Sequence, residues 1–297
     1  MSESRSGRSA KLAWGAVVIV LLAAVGLVTY SLTHAAPISA QAQSAVTAPG
    51  VLNAISTVPK AVFDSIGSTV PGVELTPPRS IPGQTPLTAF GRPEVLFVGA
   101  EYCPFCAAER WPLVVALSRF GRFTVLGDVA SSPSSVFPST ATFSFVGAQY
   151  TSRYVTFTGV ERYSDQVGAD GKFTRIARLT PSQAALFNGY LAMTGGPSAR
   201  VGPFVDIAGK MVATTSGFSP ALLAGLSQAQ IADQVASPSE ISKEVATTVP
   251  PTGSAVIASA NQLTVGICAA TGQEPASVCL SKGVREASQS LGVPMPR

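Results

Sequence analysis

The chain has 297 residues, of which 46% are apolar and 12% charged, and its formal net charge is +4. Soluble proteins carry about 25% charged residues, so this composition predicts an apolar segment together with long stretches of small residues. Arg5, Arg8 and Lys11 precede the first apolar run, and the rest of the chain is nearly neutral. We therefore exclude nucleic acid as a partner, because its binding requires clustered lysine and arginine.

Residues 12–32 form an uncharged apolar run that follows the basic tail at residues 1–11. As a helix this run is about 31 Å long, enough to cross a hydrocarbon core of roughly 30 Å. Basic residues stay inside, so the sequence predicts a single-pass anchor in the cell membrane, with a cytoplasmic tail and an extracytoplasmic C-terminal part. The alternative is a signal peptide cleaved after the small residues at 33–36, although the run is long for one.

Residues 33–90 are predicted to be a spacer. Their first part is rich in Ala, Ser, Gln and Pro, which is typical of a flexible linker. Ser56 and Thr57 precede Pro59, and this order predicts a short helix that begins near the proline. The proline-rich stretch at 69–93 predicts an extended, irregular segment.

A strand–helix–strand pattern follows the spacer. The run "EVLFVG" at residues 94–99 predicts a buried strand, and residues 103–120 have the broad apolar face of a helix that ends at Gly121. A second β-type run at 123–126 would complete a βαβ unit.

Shorter patterns occupy the remainder of the chain. A segment rich in Ser, Pro and Thr at 131–145 predicts a loop, and Thr180 is the predicted cap of a helix at 181–193. Residues 201–212 predict two short strands joined by a turn at Ala208 and Gly209. The other predicted elements are strands at 154–160 and 172–179 and helices within 220–235, 239–247 and 254–270.

Two of the four cysteines stand close together in "GAEYCPFCAAERWP", as Cys103 and Cys106. A structural disulfide, half of a zinc site and a redox centre are the three interpretations of such a pair. Zinc is disfavoured because it needs four ligands, whereas ten residues separate Cys268 from Cys279 and the one histidine, His34, lies beside the apolar run. A structural staple and a redox centre remain.

The position of the pair favours redox chemistry. Cys103 lies where a strand gives way to a helix, and the N-terminus of a helix stabilises a thiolate. A thiolate is the nucleophile of thiol–disulfide exchange, and Cys106, one turn further, is placed to resolve a mixed disulfide. The lack of any later histidine excludes Ser–His–Asp and Cys–His catalysis, and Asp165, Asp170 and Asp206 are interpreted as solvated or turn residues.

The segment "VLFVGAEYCPFCAAERWP" resembles the active-site strand and helix of the thioredoxin superfamily, and its Pro-Phe dipeptide is similar to that of glutaredoxins. "RVGPFVDIAGK" resembles the strand that opens with a cis-proline facing the cysteines. This resemblance implies that Gly202 and Pro203 form a substrate-side cis-proline loop, and the alternative is a trans proline at a strand start. The family's buried acid is absent from residues 96–99, and Glu101, the nearest acid, is expected to be exposed.

The exported part also resembles a family of membrane-anchored, thioredoxin-like prokaryotic proteins, Domain of Unknown Function 929. The resemblance rests on "GAEYCPFCAAERW", "PFVDIAGK" and "ICAATGQEPASVC". It implies an α/β chain with a thioredoxin-like fold at residues 91–236, which includes a helical insertion, and a C-terminal helical extension at 237–297. One N-terminal transmembrane helix would precede this fold.

The C-terminal extension is expected to hold a disulfide between Cys268 and Cys279, because disulfides persist outside the cytoplasm. A structural staple is favoured over an electron relay to the first pair.

The expected function is thiol–disulfide exchange, with Cys103 as the attacking thiol and Cys106 as the resolving thiol. Exported proteins with thiols or disulfides and a membrane redox partner are the expected partners, and no cofactor or metal is expected. The alternative is a non-catalytic thioredoxin-like binding module whose cysteines form a staple.

Overall fold

A computed structural model describes residues 45–194, 202–237 and 251–294. The predicted membrane anchor with its cytoplasmic tail, and the helix predicted at 239–247, lie outside the described residues. We number the described elements in chain order: β1 (Ala45–Val46), α1 (Pro49–Ser56), α2 (Lys60–Ile66), β2 (Arg79–Ser80), β3 (Thr88–Ala89), β4 (Arg92–Gly99), α3 (Pro104–Ser118), β5 (Gly121–Ala130), β6 (Ala141–Ser152), β7 (Thr156–Glu161), β8 (Tyr163–Val167), β9 (Phe173–Arg175), α4 (Pro181–Thr194), β10 (Phe204–Ile207), β11 (Met211–Ala213), a 3₁₀ turn (Pro220–Leu223), α5 (Gln228–Ala236), α6 (Thr252–Ala270), α7 (Ala276–Cys279) and α8 (Lys282–Ser290).

The central sheet is mixed, and β4 lies in its middle. β7 pairs with β4 in parallel, with Gly99 opposite Glu161, whereas β10 pairs with β4 antiparallel, with Phe204 opposite Val98. β11 forms a hairpin with β10, and β2 covers the outer edge of β11. β3 pairs with the start of β4. The end of β4 that leads to the cysteines therefore lies between the end of β7 and the beginning of β10.

Helices cover both faces of this sheet, and apolar side chains of β4 point alternately to one face and to the other. Val95 and Phe97 belong to the larger core, which includes α3 and α6. Leu96 and Val98 pack in a second core with Phe187 of α4. Alternate side chains of a strand point to opposite faces, so a continuous apolar run is buried only in a sheet with a layer on each side. The sequence pattern of β4 thus determines a three-layer α/β arrangement.

The predicted βαβ unit has a different second strand. β5, the next strand after α3, does not join the central sheet but pairs with β1 and β6 in a three-stranded antiparallel sheet. The parallel partner of β4 is β7, which follows the β5–β6 pair. The prediction that residues 123–126 complete the unit was therefore wrong. An apolar run shows that a strand is buried, but not which sheet contains it.

Two further predictions are corrected by β6 and β9. Residues 141–145, placed in a loop by their composition, belong to β6, where Phe143 and Phe145 are buried. Their side chains alternate with Thr142 and Ser144, so the polar residues obscured a period of two. The strand expected at 172–179 covers only Phe173–Arg175.

The predicted hairpin between β10 and β11 is present. Ala208 and Gly209 have φ values of 53° and 69°, as a tight two-residue turn requires. The Gly209 N–H donates to Asp206 Oδ1 at 2.7 Å. Asp206 lies in β10 and is fully buried, so the expectation of a solvated or turn residue was wrong. Burial raises its pKa to about 6.

Helices complete the chain on the α3 side of the sheet. α6 packs against α3, α5 and α8, and Cys268 near its end is joined by a disulfide to Cys279 of α7. The predicted disulfide is therefore present. Within the described residues, α6 is the one helix long and apolar enough to span a membrane, but 83% of its most apolar window is buried in the protein, as in a core helix.

Candidate functional site

Cys103 lies at the junction between β4 and α3, which places its side chain at the N-terminus of a helix. It is the N-cap residue, and its Sγ accepts a hydrogen bond from the Cys106 backbone N–H at 3.3 Å. Pro104 occupies the first turn, where the missing N–H costs no hydrogen bond. The local sequence thus builds the helix N-terminus around the sulfur of Cys103.

The two thiols have opposite electrostatic environments, although both cysteines are free and buried. Hydrogen bonds from the Cys106 side chain and backbone lower the pKa of Cys103, burial opposes them, and the positive charge of Arg110 adds to the lowering. Burial first, and then the neighbouring Cys103, raise the pKa of Cys106 well above its ordinary value. Deprotonation of this pair therefore falls first on Cys103.

Cys106 lies beneath the end of β4. A Cβ added to Gly99 would lie 3.2 Å from Cys106 Sγ, so the backbone of β4 passes directly over this sulfur. A backbone hydrogen bond from Ala100 also lowers the pKa of Cys106, against the larger effect of burial. With no exposed surface, Cys106 is out of reach of a large partner, whereas Cys103 retains 2% exposure.

A cavity of about 780 Å³ opens beside Cys103. Tyr102 and Phe173 stack on one side with ring centroids 4.0 Å apart. Phe105 and Val136 also line the cavity, and Val136 is 78% exposed at its rim. The guanidinium of Arg79 and several hydroxyl groups also line the cavity, and the hydroxyl groups belong to Ser132, Ser134, Ser135, Thr214 and Thr215. The sulfur is thus reached through a mixed apolar and hydroxyl-lined opening.

Gly202 lines the same cavity, so the segment before β10 lies beside Cys103. Pro203 is buried and directly precedes β10, at a strand start as its missing N–H requires. Among the described residues the cis peptide bond is that of Glu274 and Pro275, and the Gly202–Pro203 bond is not cis. The predicted cis-proline was therefore wrong. X–Pro bonds prefer trans by about 0.5–1 kcal/mol, and a strand start accepts either isomer.

Arg110 and Glu161 form a buried ion pair one helical turn beyond Cys106. Arg110 Nη2 and Nε donate to the two carboxylate oxygens of Glu161 at 2.7 Å and 2.9 Å, and Nη2 also donates to the Ala100 carbonyl at 2.8 Å. The two side chains are 0% and 1% exposed. This bidentate pair fixes α3 to the end of β7.

Glu101 is buried, with 3% exposure, contrary to the expectation of an exposed acid. Ser144 of β6 donates a hydrogen bond to its carboxylate. Burial raises the pKa of Glu101, and the negative charge of Glu161 adds to this effect. Glu101 is buried because the start of β6, at residues 141–145 that were predicted to be a loop, covers its carboxylate.

The buried charges of α3 were missed in the sequence analysis. Glu109 and Arg110 lie within an otherwise apolar helix, and both are at most 1% exposed. A helix that is apolar on all sides is buried, so charges within it need partners elsewhere in the fold. That signal was present in "CAAERWPLVV", but the partners, Glu161 and the Gly217 N–H, follow only from the tertiary structure.

Among residues 45–194, 202–237 and 251–294, no group of three or more His, Cys, Asp or Glu side chains is arranged to hold a metal ion.

Residues 83–169 match the family described as Domain of unknown function (DUF929). This match confirms the predicted resemblance to that family. It covers Cys103, Cys106, Arg110 and Glu161, whereas Gly202, Pro203 and the second cysteine pair lie beyond it. No curated protein matches the chain, and neither does any solved structure.

Proposed function

We propose that this protein, whose residues 83–169 match DUF929, is a thiol–disulfide oxidoreductase of thioredoxin-like fold. The observation that carries the proposal is the asymmetry of the cysteine pair. Cys103 lies at a helix N-terminus beside a cavity and has a lowered pKa, whereas Cys106 is fully buried one turn away with a raised pKa. An attacking thiol and a resolving thiol need these two environments.

The chain connectivity supports the thioredoxin-like part of the proposal. β4, α3 and β7 form a parallel unit, and an antiparallel β10–β11 hairpin and helices follow it in the chain. The strand before the cysteines and the strand that follows Pro203 are neighbours in the sheet, which fits the resemblance to thioredoxins. Two differences are the β5–β6 pair between α3 and β7 and the added C-terminal disulfide.

The reaction follows from the two sulfurs. The Cys103 thiolate attacks one sulfur of a substrate disulfide, forms a mixed disulfide and releases the other sulfur as a thiolate. Cys106 then gives its proton to that thiolate or to water and attacks Cys103 Sγ. The bond to the substrate breaks, the second substrate thiolate leaves, and the substrate gains two electrons as the protein forms its own disulfide. The reverse sequence oxidises a substrate dithiol.

The cavity favours a polypeptide as the substrate. Its aromatic and aliphatic side chains offer contacts to the residues flanking a substrate cysteine, and its hydroxyl groups offer hydrogen bonds to an extended backbone. We infer that Gly202, beside Cys103, is the point where this backbone approaches, since a glycine carries no side chain to obstruct it.

We also propose that this chemistry takes place outside the cytoplasm, on a single-pass membrane anchor at residues 12–32. The uncharged run and the basic residues before it support the proposal. Protease added to intact cells should digest the part of the chain that holds Cys103. Protection of that part would reverse the orientation.

The full chain tests the proposed activity through its catalysis of insulin disulfide reduction by dithiothreitol. Cys103→Ser and Cys106→Ser should each abolish the catalysis, whereas the wild type should accelerate it. A matched Ser281→Ala variant, which alters a buried hydroxyl far from the cavity, should retain the activity.

A binding module with a stapling disulfide is the second candidate, and the low exposure of both cysteines favours it. An inactive wild type whose Cys103–Cys106 disulfide resists dithiothreitol would support the module and contradict the enzyme.

A further inference from the structure

Arg110 and Cys106 lie four residues apart on α3, so both face the same neighbours. Those neighbours are the ends of β4 and β7, where Gly99 is paired with Glu161. The Arg110 guanidinium donates to the Ala100 carbonyl, and Ala100 also hydrogen-bonds Cys106 through its backbone. The backbone of Ala100 therefore connects the guanidinium of Arg110 to the buried sulfur of Cys106.

The guanidinium is not fully used by the fold. Nε and Nη2 bind Glu161 and Ala100, but Nη1 is buried and has no hydrogen-bond partner among the described residues. A buried ion pair contributes little stability compared with apolar side chains of the same volume, and an unpaired buried donor costs about 1–3 kcal/mol. Stability alone therefore gives no reason for an arginine at this position.

We propose that Arg110, held by Glu161, is the positioning residue that sets the thiolate stability and hence the redox potential of the Cys103–Cys106 centre. This inference rests on the proposed function and deepens it. A thiolate exists only in the dithiol form of the centre, so a buried cation beside the sulfurs stabilises that form. A centre with a stabilised dithiol form is a stronger oxidant. Arg110 thus moves the centre toward oxidation of its substrates.

The charges of Glu161 and Arg110 act in opposite directions on the pKa of Cys103, so loss of one charge should shift this pKa in the opposite direction to loss of the other. Loss of the Arg110 charge leaves the Glu161 carboxylate beside the sulfurs and should raise the pKa of Cys103. Loss of the Glu161 charge leaves the cation uncompensated and should lower it. The double change removes both charges and should return the pKa toward its original value. Two variants that only damaged the packing would shift the pKa in the same direction or not at all.

Other titratable groups face this cluster from each neighbouring element. They are Arg79 of β2 in the cavity, Glu101 and Tyr102 before α3, Arg162 beyond β7, and Tyr163 and Asp165 of β8. Tyr102 has a raised pKa, with burial as the main cause. All of these groups are present in every variant below, so differences between the variants report the Arg110–Glu161 pair.

The test measures the alkylation rate of Cys103 by iodoacetamide against pH in the reduced full chain, with the modified residue identified by mass spectrometry. We expect Arg110→Met to raise the pKa by about one unit, a tenfold loss of thiolate near neutral pH. Glu161→Gln should lower the pKa, Arg110→Met/Glu161→Gln should lie between the single variants, and Arg110→Lys should restore most of the wild-type value.

Arg119→Met is the matched control. Arg119 is a partly buried arginine that follows α3 as its C-cap residue, at the end far from the cysteines, where it binds Asn261, Thr264 and Ser281. This variant should lose stability without moving the pKa of Cys103. Shifts in the same direction for Arg110→Met and Glu161→Gln, or no shift in either, would overturn the inference.

If one single variant fails to fold, the other still decides the test, because Arg110→Met must raise the pKa of Cys103 and Glu161→Gln must lower it. An inactive wild type would contradict the proposed function whatever the pKa values, and an active wild type with unmoved pKa values would contradict only the role of Arg110.

Discussion

The two cysteine pairs of this protein are alike in burial but differ in their bonding state and in their surroundings. Cys103 begins a helix, lines a cavity and lies near a buried arginine. Cys268 and Cys279 are fully buried, joined to each other, and surrounded by the apolar core of the C-terminal helices. Burial alone therefore does not distinguish the pair that we propose to be reactive from the disulfide-bonded pair. The helix N-terminus, the nearby cation and the open cavity do.

The removal of Cys106 should have the largest effect, because it stops the proposed reaction after the mixed disulfide has formed at Cys103. Cys106→Ala should accumulate mixed disulfides through Cys103 with proteins exported alongside it, visible as higher-mass species on non-reducing gels that disappear with reductant. The Cys103→Ser/Cys106→Ala variant should form none. Equal trapping through Cys268 or Cys279 would show that the pairs do not differ as described.

The second pair should respond in stability rather than in activity. Cys268→Ala/Cys279→Ala removes a cross-link over a short loop, and we expect the free energy of unfolding to fall by about 3 kcal/mol. Denaturant titration measures this loss. The initial rate of disulfide exchange at Cys103 should stay within about twofold of the wild type, because the two pairs share no hydrogen bond among the described residues. A loss of exchange in a folded variant would indicate a relay.

Glu109 lies on α3, as Cys106 does, but its carboxylate accepts a hydrogen bond from the Gly217 N–H and has no contact with the two cysteines among its hydrogen bonds. It therefore tests a buried group of the same helix that does not belong to the thiol pair. Burial raises its pKa to about 8. The folded protein therefore binds a proton that the unfolded chain releases above about pH 4.3, and the stability from this group is lost as pH rises toward 8. Between pH 5 and 8 the loss should be about 3 kcal/mol.

Glu109→Gln should remove this pH dependence. Urea titrations at pH 5 and pH 8 compare the variant with the wild type, and the difference between the two proteins isolates Glu109 from other titrating groups. The pKa of Cys103 should not change. If the free energy of unfolding changed between pH 5 and pH 8 by the same amount in the wild type and in Glu109→Gln, the assigned pKa would be contradicted.

The smallest expected effect is a difference in alkylation rate between Cys103 and Cys106. In the reduced protein, Cys103 should be alkylated with a half-maximal rate below the pH of about 8.5 that is usual for cysteine. Cys106 should react at least about tenfold more slowly at neutral pH, because burial and the neighbouring sulfur disfavour its thiolate. Faster alkylation of Cys106 would reverse the assigned roles.

The sequence was sufficient for the elements that local chemistry determines. The strand before Cys103, the helix after it, the β10–β11 turn and the Cys268–Cys279 disulfide were all predicted. The strand, the helix and the turn depend on residues close together in the chain, and the disulfide was expected because disulfides persist outside the cytoplasm.

Long-range features could not be obtained in this way. The parallel partner of β4 is β7 because β5 and β6 form their own sheet, and no local pattern encodes that choice. The burial of Glu101 depends on β6, and the partner of Arg110 lies 51 residues away. The isomer at Pro203 depends likewise on its surroundings and not on the "GPF" pattern.

The most direct test of the central claim is a redox titration of the full chain. The protein is equilibrated in glutathione buffers from reducing to oxidising, quenched and alkylated, and each cysteine pair is read by mass spectrometry. We expect Cys103 and Cys106 to pass together from dithiol to disulfide within the buffer range, whereas Cys268 and Cys279 remain a disulfide throughout. A Cys103–Cys106 pair that keeps one state across the whole range would contradict the account.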